Sequence, residues 1–589
     1  MNSFAPQSSH KIGQLFQQAN QAHVRGQFES ARAGYLKVIK AQPKHFDALH
    51  LLGVLSCQLK EFEASIDYFN KAISISPNPV FYYSLGVAYQ ELARLSEAEQ
   101  SYLSAIGKQP QYPEALYNLG NLKRAQGENL QAVAYYDRAL VQKPDHADAH
   151  YNRGNALKEL GVYDQAVISF DAAIAMNQSY AQAHLNKGMA LKELGQFELA
   201  LESYSAALRI NPNYSDAYSN MGILQTELKR WSDAVQSFQS ALSINPQHAQ
   251  ALWNKSLLLL QHGDFKGGFA LYNTRWRAEV MVSPLLKSKN PWHPLTPHGG
   301  TTPGNTTRCK RLLIWSEQGI GDEVMFGALL THPLISDLAE HLTIQLDSRL
   351  IPLFKRSFPQ HQFIEKGLGL SDTQFDQHMP MGQLAEIFCQ SLESFKSIRP
   401  SYLLSDAVRG HHISAQIKLQ NKDDEKPIVG ISWRSKNDKK GLDRSITETD
   451  LVGALSLNKQ GGFDTDRFHF VNLQYNTNLE EVQQVSEALG INIQCLADID
   501  NFSDIDGLAS LISACDLVVS IDNSTVHLAG ALGKPTYVLL PFSADWRWGL
   551  ESSHSYWYPS LHLYRQSQRG GWAEPLLKLQ ADLIELIDP

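Results

Sequence analysis

Cysteine is scarce in this chain. The five present (Cys57, Cys309, Cys389, Cys495 and Cys515) are scattered across 589 residues with no CxxC pair. That scatter excludes a structural zinc site and fits a reducing compartment. Long apolar runs are also missing: none approaches the ~18 residues that a bilayer-spanning helix needs. The first residues, MNSFAPQSSHKIGQLF, lack an apolar signal core. There is no excess of positive charge, with 52 Lys and Arg against 60 Asp and Glu and a net charge of −8. A nucleic-acid binder that relies on phosphate contacts is therefore not expected. The expectation is a cytoplasmic protein with no membrane span, no metal site and no nucleic-acid partner. Oligomeric state is left open.

What the chain does have is an internal period, and length for several domains. Pro43, Pro77, Pro110, Pro144, Pro212 and Pro246 recur at steps of 33 or 34 residues, with Gln178 in the vacant slot. Gly53, Gly86, Gly120, Gly154, Gly188 and Gly222 mark a second position of that period, and Ala98, Ala132, Ala166, Ala200 and Ala234 a third. A fourth alanine series, from Ala72 to Ala241, has Tyr or Phe three residues before each member. The spacing predicts pairs of antiparallel helices, with Gly and Ala at the close crossings, an aromatic filling the gap and Pro ending each pair. These residues match the tetratricopeptide repeat pattern. Seven full units span 12 to 248. A divergent eighth, with Gly268 in place of alanine, caps an all-α solenoid over 12–278 and meets the next domain.

One row inside the repeats carries chemistry. Asn118, Asn152, Asn186, Asn220 and Asn254 recur at 34, and Asn121 and Asn155 begin a second row. Carboxamides have both donors and acceptors, so an aligned row can hold the backbone of an extended peptide without reading its side chains. O-GlcNAc transferases have a similar asparagine ladder. The bland alternative is an asparagine simply favoured at that repeat position.

Residues 279–309 are rich in Pro, Gly and Thr and read as a linker. Beyond them, short apolar strands alternate with helical stretches, as in α/β proteins with parallel sheets. One strand series begins at RLLIW (311–315) and fills a lobe over 310–425. In it, Asp376–Met381 reads as a loop near the ligand edge. A second series begins at PIVGISW (427–433) and fills a lobe over 426–589. Its amphipathic segment Glu574–Ile587 is expected to cross back to the first lobe. Within the second lobe, DLVVSIDNSTVHLAGALGKPTYVLLP (516–541) reads as strand, loop, helix, strand. A polar loop opening onto a helix N-terminus favours an anion. The stretch is therefore either a phosphate seat or an ordinary capped β-α-β unit.

Asp522-Asn523-Ser524-Thr525-Val526-His527-Leu528-Ala529 resembles the Asp–His segment of heptosyltransferase-like enzymes with the GT-B fold, and Gly321-Asp322 resembles their N-terminal Gly-Asp loop. The whole plan resembles a bacterial group joining tetratricopeptide repeats to such a domain, and is similar to O-GlcNAc transferases and repeat-containing flagellin glycosyltransferases. Asn523 and Ser524 depart from the Thr-Gly of the heptose enzymes. The resemblance implies two Rossmann-like lobes facing a cleft, and a metal-independent transfer of sugar from a nucleotide-sugar co-substrate, with no other cofactor. The acceptor implied is a hydroxyl on a protein held by the repeats, flagellin among the candidates. An inactive transferase-like scaffold and a glycan- or lipopolysaccharide-directed enzyme are the alternatives.

Transfer needs a base for the acceptor hydroxyl, stabilisation of the departing phosphate and a dry cleft. Asp322 is the candidate base, or else the N-cap of its helix; Glu317 and His378 are reserves. For the donor phosphates and nucleotide the candidates are Gly319, Gly321, Arg434, Lys436, Gln474, Asp522, Asn523, Ser524, Thr525, His527 and Arg547. Trp546 and Trp548 either wall the pocket or pack in the core. Asp498/Asp500 and Asp504/Asp506 form D-x-D patterns, read as structural because they flank a loop that caps a helix.

Overall fold

The computed structural model describes residues 6–278, 309–367, 374–421, 425–435, 445–446 and 467–585. The linker expected at 279–309, save its last residue, and Lys436 lie outside the described residues. By compactness the chain divides into Met1–Leu224 and Gln225–Pro589.

The helices before the first strand come in consecutive pairs, from Pro6–Val24 with Phe28–Ala41 through to Ala249–Gln261 with Phe265–Tyr272. Inside the first unit the periodic glycines do what their spacing predicts. A Cβ on Gly53, Gly86, Gly120, Gly154 or Gly188 would come within 2.5–2.7 Å of the aromatic ring of its own repeat. Those rings, among them Phe69, Tyr102 and Tyr136, are fully buried. The turn between paired helices needs one left-handed residue. Gly127, Gly161 and Gly195 fill it at φ near +75°, whereas Lys60 and Ala93 hold the same slot at φ +62° and +56°. A side chain there costs about 1–2 kcal/mol.

The second unit opens with helices Trp231–Ile244, Ala249–Gln261 and Phe265–Tyr272 and a 3-10 turn, Asn273–Trp276. Two parallel sheets follow. The first contains β1 (Cys309–Trp315), β2 (Ala339–Leu346), β3 (Gln362–Glu365) and β4 (Gln377–Pro380) in the order β3-β2-β1-β4. The second contains β5 (Ile428–Ser432), β6 (His469–Asn472), β7 (Ile493–Gln494), β8 (Leu517–Ile521), β9 (Thr536–Leu540) and β10 (Leu561–Arg565) in the order β10-β9-β8-β5-β6-β7. Numbered within its own lobe, that is the doubly wound order 3-2-1-4-5-6. The fully buried β5 and β8 are apolar throughout except for Gly430, Ser432 and Ser520, as two-sided parallel strands require.

Three sequence expectations are corrected. Residues 377–380 are a strand, β4, paired with β1; its lone proline sits at the very end of an edge strand, where no ladder bond is lost. β10, not anticipated, extends the second sheet beside β9. The C-terminal helix Ala573–Glu585 stays on its own lobe. Leu576, Leu579 and Leu583 pack with Val429, Val519, Leu539 and Tyr564 of that sheet. Its apolar stripe matches the nearest open sheet face, so it has no need to cross.

The largest core runs from the last repeat helices through both sheets: Trp253, Phe265, Phe269 and Tyr272 share it with Ile314, Val324, Val518 and Val526. The lobes are also pinned by backbone. Tyr402 and Leu403 N–H groups both donate to Ala531 O, at 2.9 and 3.0 Å, and Arg356 forks onto Asp506 at 2.7 and 2.8 Å. No helix among the described residues is long and apolar enough to cross a membrane.

Candidate functional site

In the first unit the asparagine row is joined to a tyrosine row offset by 35 residues. Asn118 Nδ2 donates to the Tyr83 hydroxyl (3.3 Å), Asn152 to Tyr117 (3.0 Å) and Asn186 to Tyr151 (3.0 Å). The second protons of Asn152 and Asn186 go to Asn121 Oδ1 (3.0 Å) and Asn155 Oδ1 (2.9 Å). The Tyr136 hydroxyl also donates to Asn121 Oδ1, at 2.7 Å, so that oxygen accepts from both Tyr136 and Asn152. Where the tyrosine row would continue stands Leu185, which has no hydroxyl. Asn220 accordingly turns to Asp216 O of its own helix (2.9 Å). Asn254, in the second unit, does the same with Gln250 O (2.8 Å). The sequence expectation of a row offering both donors and acceptors is thus narrowed. In Asn152 and Asn186 both amide protons are taken up internally, and what they offer a partner is carbonyl oxygen.

The second unit holds a cleft of ≈ 690 Å³ at the carboxyl ends of its sheets. Parallel doubly wound sheets bind ligands there, where strand order reverses. The reversal in the second sheet lies between β5 and β8, with Ser432 paired to Ser520 in register. Asn523 bridges it. Its Nδ2 donates to Ser432 Oγ (2.7 Å), while its Oδ1 accepts from Thr525 N (3.0 Å) as N-cap of helix Ser524–Ala531. Asp522, Asn523, Ser524 and His527 line the cleft. Thr525 is fully buried behind them. His527 Nδ1 meets the Tyr558 hydroxyl at 3.0 Å, and its ring stacks on Trp548 at 5.3 Å.

The loop after β1 closes on this helix. Gly319 is the N-cap position of helix Ile320–Gly327, and Asp322 lies inside its first turn, so Asp322 is not the cap. A Cβ on Gly321 would sit 2.9 Å from His527 Cδ2; the glycine is what lets the two loops touch. Gly319, Gly321 and Asp322 all line the cleft. Asp322 Oδ1 accepts from Arg547 Nη2, and Arg547 Nη1 donates to Asp545 Oδ1 (2.6 Å). Burial alone would lower the Arg547 guanidinium. The carboxylates of Asp322, Asp545 and Asp522 outweigh it and hold the group well above its ordinary value. Oriented to satisfy both its polar ends, the Gln318 amide donates to both Asp322 oxygens, at 2.8 and 2.9 Å.

Other candidates lie elsewhere. Glu317 faces away from the cleft. It is 1 % exposed and paired with a fully buried Arg275, whose Nε donates to it at 2.9 Å, and it accepts from Gly382 N at 2.6 Å. His378 is buried on β4, where Nδ1 accepts from Trp315 Nε1 (3.1 Å). The Arg434 guanidinium is turned onto Glu481 (3.0 Å). Gln474 is buried and organises the loop after β5. Its Oε1 accepts from Trp433 N and Arg434 N (3.1 and 2.9 Å), and its Nε2 donates to Arg434 O and Tyr475 O. None of these four lines the cleft. In the D-x-D stretches, Asp504 caps helix Ile505–Ala514, Asp500 caps a turn and Asp506 pairs with Arg356. Trp548 is core; Trp546 packs on Tyr272 (5.9 Å between rings) and also lines the cleft.

Several lining residues were not expected. Trp253, Leu257 and Tyr272 come from the last repeat pair. Arg349 follows β2, grips Asp347 (2.8 Å from both Nε and Nη2) and reaches across to Phe502 O (2.9 Å). That grip holds the Asp347 carboxyl below the usual range. Glu323, 2 % exposed, accepts from Ser316 Oγ and from Asp347 N (2.8 Å); burial nevertheless pushes its carboxyl up. The carboxyl-end rule, applied to β2 as it was to β1 and β8, would have found Arg349.

The family models that match all lie in the first part of the chain. Models described as tetratricopeptide repeat match residues 16–78, 80–112, 147–180, 181–214 and 220–275, and one described as TPR repeat matches 120–161. Protein FlbA of Caulobacter vibrioides is 29% identical over 350 residues, 55% of this chain and 53% of FlbA; the chain thus spans about half that relative's length. An N-terminal acetyltransferase A complex subunit-like protein of Schizosaccharomyces pombe is 26% identical over 120 residues, 20% of this chain and 17% of its own. Among solved structures, YrrB, described as a TPR protein with an unusual peptide-binding site, is 24% identical with a TM-score of 0.30, covering 32% of this chain and 98% of YrrB. PilF of Pseudomonas aeruginosa is 20% identical with a TM-score of 0.32, covering 35% and 94%. With the periodic glycines, their rings and the repeat-model matches together, residues 16–275 are a tetratricopeptide-repeat array, followed by an α/β region of two parallel sheets.

Proposed function

We propose that the chain is a GT-B glycosyltransferase that moves a sugar from a nucleotide-sugar donor to a hydroxyl of a protein held by the repeats. One observation carries the reading. Two loops, at the carboxyl ends of β1 and β8, meet in one cleft, with the Asp322 carboxylate on the first and a capped helix N-terminus at Asn523–Ser524 on the second. A base opposed to an anion seat is what the reaction requires. The N–H groups at Ser524 and the fork of Arg547 receive the donor diphosphate. Asp322 takes the proton of the acceptor hydroxyl. The acceptor's oxygen bonds the anomeric carbon as the bond from that carbon to phosphate breaks, and the electron pair leaves on the nucleoside diphosphate. The carbonyl oxygens of Asn152 and Asn186 accept N–H groups of the acceptor's backbone.

A second reading, an inactive transferase-like scaffold, is favoured by one fact: Asp322 is held by Arg547, in a cleft where, among the described residues, five carboxylates face two guanidiniums. A thermal-shift screen of the full chain with UDP, GDP, ADP and CMP separates the two. Stabilisation by one nucleotide supports the transferase, and none by any of them leaves the scaffold. Asp322→Asn should then keep nucleotide binding and lose transfer; transfer that survives removes Asp322 as base.

A further inference from the structure

Arg547 occupies an unusual position for a phosphate ligand. Its guanidinium is taken by two carboxylates, Asp322 through Nη2 and Asp545 through Nη1, and its Nε has no hydrogen-bond partner. The turn that carries it, Trp546–Trp548, is fixed: Asp545 caps it, Trp546 packs on Phe269 and Tyr272, and Trp548 is buried under His527. The backbone there is set, so the movable part is the side chain.

Among the described residues the other guanidinium lining the cleft, Arg349, is engaged by Asp347 and by Phe502 O. Among the described lining residues, a diphosphate entering beside five carboxylates therefore meets a helix N-terminus and the Arg547 fork, whose carboxylate partners it can replace. A guanidinium fork fits phosphate as well as it fits carboxylate. Arg547 Nη2 also occupies Asp322 Oδ1, an oxygen that an acceptor hydroxyl would have to reach.

We propose that Arg547 is an exchangeable latch: it masks Asp322 while the cleft lacks donor, and passes to the donor diphosphate when that arrives, releasing the carboxylate to act as base. The proposal rests on the transferase reading and adds an order to it. The donor seats first, and the acceptor hydroxyl is activated only afterwards. No bond is made in the exchange; one ion pair replaces another, and Asp545 keeps the guanidinium aligned throughout.

The latch makes a prediction opposite to the usual one for a site residue: removing Asp322 should improve donor-side binding. In the full chain, with the nucleoside diphosphate that stabilises the wild type as probe, Asp322→Asn is expected to bind about tenfold tighter by calorimetry, because Arg547 no longer has to leave a carboxylate. Arg547→Gln should bind at least about tenfold weaker, and adding Asp322→Asn to it should change nothing further. Asp322→Ser makes the same prediction should Asp322→Asn fold poorly. Equal or weaker binding by both Asp322 variants overturns the latch, as does a gain that persists in the Arg547→Gln background. If none of UDP, GDP, ADP and CMP binds wild type or variant, the transferase reading itself falls; binding of CMP alone overturns the latch, which needs a diphosphate. Binding that ignores Asp322 sinks the latch alone.

Discussion

Removing Arg275 should damage the second unit more than removing its partner Glu317, and in a pH-dependent way. The Arg275 side chain is fully buried and donates to Glu317 from Nε and Nη2, and from Nη1 to Tyr272 O (2.6 Å) and Asn273 Oδ1 (3.0 Å). It also lies over the rings of Tyr272 (4.2 Å) and Trp276 (4.6 Å). Glu317 has one other donor, Gly382 N. Arg275→Met leaves a buried carboxylate with that single N–H, which costs about 3–5 kcal/mol. Glu317→Gln leaves a cation that still has two oxygens and two aromatic faces, and should cost about 1–3 kcal/mol. In Arg275→Met the orphaned acid gains stability by taking up a proton, so its deficit should shrink as pH falls, whereas that of Glu317→Gln should not. The assay is built into the sequence. All ten tryptophans, from Trp231 to Trp572, lie beyond residue 225, so denaturation followed by tryptophan emission reports on the second unit alone. Equal losses in the two variants, or a pH-independent loss in Arg275→Met, would refute the reasoning.

Gly321→Ala places a methyl 2.9 Å from His527 Cδ2 and should cost about 1–3 kcal/mol of second-unit stability by the same emission assay. Ala93→Gly relieves a left-handed alanine at φ +56° and should stabilise the first unit by about 1 kcal/mol, read by circular dichroism of a fragment carrying it. Glu323→Gln should raise the second unit's melting temperature at pH 8 and lose that advantage in acid. A carboxyl whose folded pKa is raised binds protons more readily when folded, so its contribution is present at low pH and lost as pH rises through the folded value. A proline scan of any peptide that binds the repeats should abolish binding at alternate positions, since Asn152 and Asn186 offer acceptors and proline has no N–H to give; tolerance of proline throughout would show that the ladder does not hold the backbone.

The repeats were legible in the sequence because their period is enforced by sterics: Gly120 is glycine because Tyr136 lies 2.7 Å from where a Cβ would be. The loop after β8 was legible for a similar reason, since a buried strand followed by small polar caps has few other readings. The polar partnerships were not. Nothing in the local sequence couples Asn152 to Tyr117, or Asp322 to Arg547, residues brought together only by packing. Glu317 and Asp322 are five residues apart with the same chemistry. One meets a buried guanidinium from the last repeat and the other faces a cleft, and spacing alone cannot assign those roles. The strand at 377–380 was missed because four residues with a histidine and a proline carry too little alternation.

The division at residues 224 and 225 has a consequence for how such a chain can change in length. Whole 34-residue modules upstream of that point can be gained or lost as interchangeable parts, each bringing its own glycine and ring. The helices after it cannot, because deleting the module that holds Trp253 and Tyr272, with the Arg275 turn behind it, would remove a wall of the cleft and the counter-charge of Glu317. Natural variation in reach is therefore expected at the front of the array, with its final module held constant by the domain that has absorbed it.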